Sequence, residues 1–584
     1  MDELLTNEMK EKTKIFAIRN RAEHGKASYK HVFSKFMSEY KDVIDKTKIK
    51  EYLKEIGRIC EEVNKMDAKE IEDILPQIEE VDKEKNKKKI ESLEDLVNEL
   101  KDLPDIDKKR RVITRFEPSA SGPLHLGHVF PLLLNYWYAK KYNGKMVLRI
   151  ADTNPQNVLL EAYDMIVDDV EYLTGNLYDP IIQSSRMKYY YEVAEYLIQQ
   201  GFAYVCLCDS ESFKRLVLNK KPCIHREQTP EENLELWKKM LEGEFDEGEA
   251  VLRIKTILTH ENPAVREWVA FRIIKHPHPL VGEKYLVYPT MNFSVAVDDH
   301  SNNITHVIRG KDHETNTLRQ QYIFEYMGWD MPVYLHIGRI NFEDLKLSTT
   351  QIKEKILKGE YKGWDDVRLP FIQSYKKRGF KPEAFSWWVL QIGLTKRDKK
   401  TTYKEFLKNL IKIHRVLIDK ESDRLFFIKE PIKVRIVNLT QDIKVILPNH
   451  PDIKERGYRV LMFSQSHPFV YVEKDDWDRL KVGETIRLKY AFDIRKISHD
   501  EGEIVKKNQE EKMTRIIHYL PENSYINCKV IMDNGDIIEG IVESNILEKP
   551  IDSRLQFERF GFVKVNRFIK ENLYICVETY YIHE

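Results

Sequence analysis

The chain has 584 residues, 42% hydrophobic, 33% charged and 11% aromatic, which excludes a disordered chain and calls for several domains rather than one core. Lysine plus arginine and aspartate plus glutamate stand at 95 each, so a globally basic nucleic-acid binder is excluded and runs such as 108–111 and Lys376-Lys377-Arg378 read as solvated surface. No stretch approaches the roughly 20 apolar residues of a membrane span, the N-terminus lacks a signal-peptide core, and six cysteines with no disulfide framework point to a reducing, cytoplasmic setting.

Residues 1 to about 75 read as helical. Ile49, Tyr52, Leu53, Ile56, Ile59, Cys60 and Val63 recur at helical spacing and give one apolar stripe. Charge dominates from about 76 to 110, with a short helical pattern inside it, as in a tether. VITRF (112–116), PLLLNYWYAKKY (131–142) and MVLRIA (146–151) then read as strand, helix and strand. Such a βαβ unit predicts a parallel, doubly wound α/β sheet. The next strand candidates are YLVYP (285–289) and THVIRG (305–310). The expected boundaries are therefore a helical segment and tether over 1–105, the two halves of a nucleotide-binding domain over 106–200 and 285–340, and an insertion over 201–284. Helical patterns return over 341–430, for example PEAFSWWVLQIGL (382–394). From 431 to 584 the period becomes two: Ile526, Cys528, Val530 and Met532 alternate before the hairpin signal Asp533-Asn534-Gly535-Asp536, which predicts a β-barrel or sandwich. Cys60, Cys528 and Cys576 lie in apolar patterns and read as core.

The segment that carries chemistry is RFEPSASGPLHLGHVF, 115–130. It leaves a strand, turns through Ser119, Ala120, Ser121 and Gly122, and enters a helix whose free N–H groups and positive dipole end suit a polyphosphate. His125, Leu126, Gly127 and His128 form its first turn. Two imidazoles there can donate to phosphate oxygens and stabilise charge at the α-phosphate during in-line attack, while Gly127 leaves room for the adenosine. Within 201–284, Cys206-x-Cys208 and Cys223-x-His225 bring together three thiols and an imidazole, a set suited to tetrahedral structural zinc. The alternative is four side chains that hold no metal.

The 115–130 stretch resembles the signature of class I aminoacyl-tRNA synthetases. LRIADTNPQNV (148–158), YPTMNFSVAVDDH (288–300), THVIRGKDH (305–313), HIGRINFEDLKLSTTQI (336–352), GWDDVRLP (363–370), QFERFGFVKV (556–565) and the N-terminal AEHGKA (23–28) are similar to the glutamyl/glutaminyl branch in its archaeal form. The resemblance implies a multidomain α/β protein: a Rossmann-like catalytic domain with an inserted acceptor-stem-binding domain, an N-terminal helical domain, and a C-terminal β-barrel that binds the anticodon. It implies ATP with Mg2+, L-glutamate and tRNA(Glu) as substrates, with tRNA(Gln) left open, and two steps, glutamyl-adenylate formation and transfer to the tRNA. Bacterial glutamyl enzymes are similar in placing a CxC…CxH cluster in the insertion.

Carried over by position, the resemblance puts Arg115, Ser119, Met291, Val295 and Arg309 at the amino acid. It puts His125, Leu126, Gly127, His128, Arg339, Lys346, Leu347 and Ser348 at the ATP. Arg309 resembles the arginine that faces the glutamate side chain in glutamyl enzymes, where glutaminyl enzymes carry a neutral residue. Asp152 and Thr153 sit in the DTNP turn, with structural and substrate roles both open. Three positions depart from the pattern. Ala151 stands where relatives have an acid for the substrate ammonium, with Glu117 a candidate to replace it. Met291 stands where relatives have tyrosine. Thr349 stands where many have a second lysine, with Lys346 or Lys353 as possible substitutes. The alternatives are a glutaminyl enzyme, or a tRNA-binding paralogue without activation.

Overall fold

The computed structural model describes residues 5–40, 44, 48–67, 70–71, 74, 92–106, 111–345, 349–505, 515–571 and 574–584. It divides into two units, Met1–Asp95 and Leu96–Glu584.

The first unit contains helices Asn7–His24, Tyr29–Tyr40 and Ile49–Lys65. The first begins where Thr6 accepts from the Met9 amide and ends at Gly25, with φ of 74°, a side-chain cap followed by a left-handed stop. The predicted stripe turns Tyr52, Ile56, Ile59, Cys60 and Val63 inward onto a core with Ala17, Val32 and Phe36. Ile49 and Leu53, also in that stripe, are half-buried. Most of the expected tether, 75–91 and 107–110, lies outside the described residues.

In the second unit, strands Ile113–Phe116, Lys145–Ile150 and Ile181–Ile182 run parallel, side by side. Helix Leu126–Lys141 makes the crossover and is buried on most of its circumference, which explains its nearly unbroken apolar sequence. A second parallel pair, His306–Gly310 and Val333–Ile337, is stitched to the first by Thr305. Its amide donates to the Ile113 carbonyl at 2.9 Å, and its hydroxyl accepts from the Ile113 amide at 2.8 Å.

Between these halves lies a four-stranded antiparallel sheet of Ala203–Cys206, Val251–Ile254, Val269–Ile273 and Val287–Pro289. The last strand, grouped by sequence with the second half of the nucleotide-binding domain, closes the inserted sheet: Phe271 pairs with Pro289 and Ile273 with Val287. Burial decides this, because Tyr288 shares one core with Trp237 and Phe271.

Helices Ile372–Arg378, Pro382–Ile392 and Tyr403–Asp419 lead into two seven-stranded sheets. One holds Tyr525–Ile531, Ile537–Glu543, Gly561–Glu571 and Tyr574–His583; the other holds Pro431–Ile436, Phe469–Glu473, Thr485–Leu488 and Asp493–Lys496. The hairpin at 533–536 closes with the Met532 amide donating to the Asp536 carbonyl at 2.8 Å and Gly535 at φ of 88°, the positive φ that the turn requires. Cys528 is buried, whereas Cys576 is half-buried, because position 576 falls near the exposed start of its strand. The run at 376–378 is partly solvated: Lys376, 42% exposed, pairs with Asp168, Lys377, 28% exposed, pairs with Asp365 at 2.7 Å, and Arg378 is buried and donates to the Ile582 carbonyl at 2.8 Å. Among the described residues no helix is long and apolar enough to cross a membrane.

Candidate active site

A cleft of about 580 Å³ opens at the carboxyl ends of the parallel strands, lined by Arg115, Glu117, Ser119, His128, Ala151, Thr153, Gln183, Met291, Val295, Arg309 and His313 among others. Ligands of open α/β sheets bind at that end of the strands.

The signature turn is braced from outside the catalytic sheet. The Leu126 amide donates to the Pro370 carbonyl at 3.3 Å and the Ile372 amide to the Leu124 carbonyl at 2.9 Å, while Asp169 accepts from the Leu124 amide at 2.8 Å. His125 caps the helix. Its Nδ1 accepts from the Gly127 amide at 3.0 Å, and His128 Nδ1 accepts from the His125 amide at 3.2 Å. An amide can only donate, so each ring carries its proton on Nε2. Burial lowers His125 to about 4; burial, then His125, pushes His128 well below the ordinary value. The rings stack at 3.9 Å as neutral imidazoles, each with its Nε2–H as donor. Leu126 is 2% exposed, so its contribution is the backbone.

The floor of the cleft is an ionic network. Arg149 donates to Glu117 at 2.7 Å and to Asp299 at 2.7 Å. Arg115 donates to Asp299 at 3.1 Å, and Arg186 to Asp298 at 2.7 Å. Gln183 donates to Glu117 at 3.1 Å and to Asp298 at 3.0 Å. Burial would raise Asp299, but Arg115 and Arg149 together outweigh it and hold the carboxyl below its usual range.

Arg309 differs. It is 6% exposed, and no carboxylate lies within 4.0 Å of it among the described residues. Its Nη2 donates to Thr317 Oγ1 at 2.7 Å and Gln320 Oε1 at 2.9 Å. The guanidinium lies over the Tyr334 ring at 4.7 Å, and its Nε is buried without an acceptor. Burial, and then the Arg115 guanidinium, lower it to about 10. A buried cation that costs this much and faces a cleft is poised to receive an anion.

The profile described as "tRNA synthetases class I (E and Q), catalytic domain" matches residues 111–413, and two described as their "anti-codon binding domain" match 422–512 and 516–566. The chain belongs to the class I tRNA synthetases of the E and Q group. Its similar relatives in this group include the glutamate–tRNA ligase of Methanopyrus kandleri, 40% identical over 96% of this chain and 97% of the relative. That of Methanocaldococcus jannaschii is 40% identical over 97% and 99%, and that of Archaeoglobus fulgidus 41% over 95% and 98%.

Of the positions expected to serve this synthetase, Arg115, Ser119, His128, Met291, Val295 and Arg309 line one cleft. Arg339 does not line it; its guanidinium pairs with Asp312 at 2.9 Å. Lys346, Leu347 and Ser348 lie outside the described residues. Asp152 is occupied structurally, accepting from Tyr163 at 2.7 Å and from the Ser184 amide at 2.7 Å, whereas Thr153 reaches the cleft. Sequence reasoning missed Arg149, Gln183, Asp298, Asp299, Thr317 and Gln320. The signal for Arg149 was a charge within an otherwise apolar strand, and for Asp298 and Asp299 a pair of acids within an apolar helix.

The cysteine cluster assembles. Ligand atoms of Cys206, Cys208, Cys223 and His225 all lie within 4.8 Å of one another. Cys206 and Cys223 sulfurs are 3.9 Å apart, and Cys208 Sγ is 3.4 Å from His225 Nδ1. Zinc bonds of about 2.3 Å to sulfur and 2.0 Å to nitrogen, set tetrahedrally, span such separations. A hydrogen bond from Cys223, followed by opposing burial and then by the Arg253 charge, leaves Cys206 lowered to about 7, while the same contact and then burial push Cys223 up to about 12 and burial raises Cys208.

Proposed function

We propose that this synthetase is a glutamate–tRNA ligase whose choice of amino acid rests on Arg309. Buried beside the cleft, with neutral side-chain partners among the described residues, Arg309 leaves one positive charge unmatched. The floor sets three guanidiniums, Arg115, Arg149 and Arg186, against three carboxylates, Glu117, Asp298 and Asp299. L-glutamate, with two carboxylates and one ammonium, supplies the missing negative charge, whereas glutamine would leave Arg309 uncompensated.

In the first step an oxygen of the glutamate α-carboxylate attacks the α-phosphorus of ATP, and pyrophosphate leaves. The His125 and His128 Nε2–H groups and the positive end of the helix Leu126–Lys141 dipole stabilise the charge that develops. In the second step the terminal ribose hydroxyl of the tRNA attacks the acyl carbon and AMP leaves. Positioning and charge stabilisation carry both steps. Mg2+ enters with the nucleotide. Bound there, the ion would neutralise charge on the phosphate oxygens. Family resemblance supports Arg339 and 346–348 as further ATP positions; Arg339 is paired with Asp312 outside the cleft, and 346–348 lie outside the described residues.

The four-ligand cluster holds zinc structurally, because all four positions are filled by protein and none is left for chemistry. The insertion that carries it grips the acceptor end of tRNA(Glu), and the C-terminal sheets read the anticodon by stacking and edge contacts.

The test is pyrophosphate exchange with tRNA present. Glutamate-dependent exchange is expected, along with its loss in Arg309→Leu. Exchange with glutamine alone would make this a glutaminyl enzyme, and exchange with neither a tRNA-binding paralogue. Charging purified tRNA(Glu) and tRNA(Gln) separately decides whether the second is also a substrate.

A further inference from the structure

An amino acid brings an ammonium as well as carboxylates, and a cleft that strips its water must return an acceptor. Among the residues that line this cleft Glu117 is the single acid. It sits one residue beyond strand Ile113–Phe116, between Arg115 and the small-residue turn, and its side chain is 8% exposed. Gln183 Nε2 occupies Oε1 at 3.1 Å and Arg149 Nη2 occupies Oε2 at 2.7 Å. A carboxylate accepts at about four lone-pair sites, so acceptor capacity remains. We infer that Glu117 binds the α-ammonium of the substrate, an inference that rests on the amino-acid-activating reading above.

The competing role is that of a buried counterion for Arg149 and for Arg115, whose Nε lies 3.6 Å from Oε2, and nothing more; Arg115 also has Asp299 at 3.1 Å. Arg149 already has Asp299 at 2.7 Å and Asp298 at 3.8 Å, so its charge does not depend on Glu117 alone. Gln183 and Arg149 hold the Glu117 carboxylate in place from two sides, which pre-organises it for a third donor.

The neighbouring strand supplies an internal control. Phe116 pairs in register with Leu148, and Ser119 bridges Ala151 in the same parallel sense. Residues two apart on a strand share a face, so Glu117 and Ala151 both face the cleft, as their place in its lining records. Position 151 presents a bare methyl group. An acid placed there would deliver a carboxylate to the same part of the cleft from the adjacent strand.

The experiment uses the full chain with tRNA present and measures pyrophosphate exchange. In Glu117→Gln the KM for glutamate is expected to rise on the order of 100-fold, the cost of losing a charged partner to a desolvated group, with the KM for ATP within about twofold of the parent. The double variant Glu117→Gln with Ala151→Asp should recover most of that loss. Glutarate, which has both carboxylates and no ammonium, should inhibit the parent and Glu117→Gln equally well. If Glu117→Gln weakens glutarate and glutamate alike, or if Ala151→Asp restores nothing, Glu117 is only a structural counterion and the inference is overturned. A parent protein that activates neither glutamate nor glutamine overturns the reading beneath it, and this inference falls with it.

Discussion

Arg309 donates to Gln320 at 2.9 Å, a full positive charge resting on a neutral amide that is itself 0% exposed. The neutrality of this partner preserves the charge of Arg309 for a ligand. Replacing Gln320 by glutamate would supply an internal counterion in the same volume. Gln320→Glu should therefore raise the KM for glutamate at least ~10-fold and reduce discrimination against glutamine, with the fold intact. Exchange kinetics with the two amino acids, beside a melting curve, check this; unchanged selectivity would mean that Arg309 does not face the side-chain carboxylate.

Gly122 of the signature turn packs against Thr349, the first residue of helix Thr349–Leu357. A Cβ on Gly122 would meet Thr349 Cγ2 at 2.5 Å, and its φ of 153° is unfavourable for other residues. Gly122→Ala should slow exchange ~10-fold or more by displacing the turn from that helix. Thr349→Ser removes the opposing methyl and should restore part of the rate in the Gly122→Ala background. No recovery would show that backbone strain at 122, not contact with 349, sets the loss.

Zinc removal should separate stability from chemistry. Cys206→Ser with Cys208→Ser is expected to abolish metal content, lower the melting temperature, and impair tRNA charging more than glutamate-dependent exchange, because the cluster lies in the insertion rather than in the cleft. Elemental analysis and the two assays check it. Equal metal content in parent and variant would rule the site out.

Acid should destabilise the protein in two windows. Burial is the first cause that lowers His125 to about 4, His583 to about 4 and His414 to about 2. The unfolded chain binds protons at histidine below about pH 6.5, so these groups cost nothing above that value and erode stability as pH falls from 6.5 towards 4. Asp366, whose burial is outweighed by Arg368 and backbone amides, is lowered to about 2. Its stabilising contribution is present above about pH 4 and is lost below that. Melting temperatures from pH 7.5 to 3 should fall in both windows, and His414→Gln with His583→Gln should flatten the upper one.

Much of the site was legible because its chemistry is local in sequence. His125, Gly127 and His128 belong to one helix turn, of which His128 lines the cleft, while Arg115 and Ser119, assigned by resemblance, flank the neighbouring strand end and line the same cleft. The partners of Arg309 were not legible. Thr317 and Gln320 lie one face along the helix Glu314–Met327, and a polar residue on a helix gives no sign of whether it meets water or a buried guanidinium. Arg378 shows the same limit, since a basic run reads as surface until the carbonyl that receives its buried member is placed.

Strand and helix periods, the βα turn at 115–130 and the clustering of three cysteines with His225 follow from the order of residues, because each depends on neighbours a few positions apart. The sequence by itself therefore determined the α/β class, the βα turn at 115–130 and the cluster of four potential ligands. Only the tertiary structure decided that Val287–Pro289 closes the inserted sheet, that Glu117 is the acid lining the cleft, and that no carboxylate among the described residues lies within 4.0 Å of Arg309. Those properties depend on burial and on groups brought together from different strands and helices, and the free energy of a charge is set by what surrounds it rather than by what adjoins it in the chain.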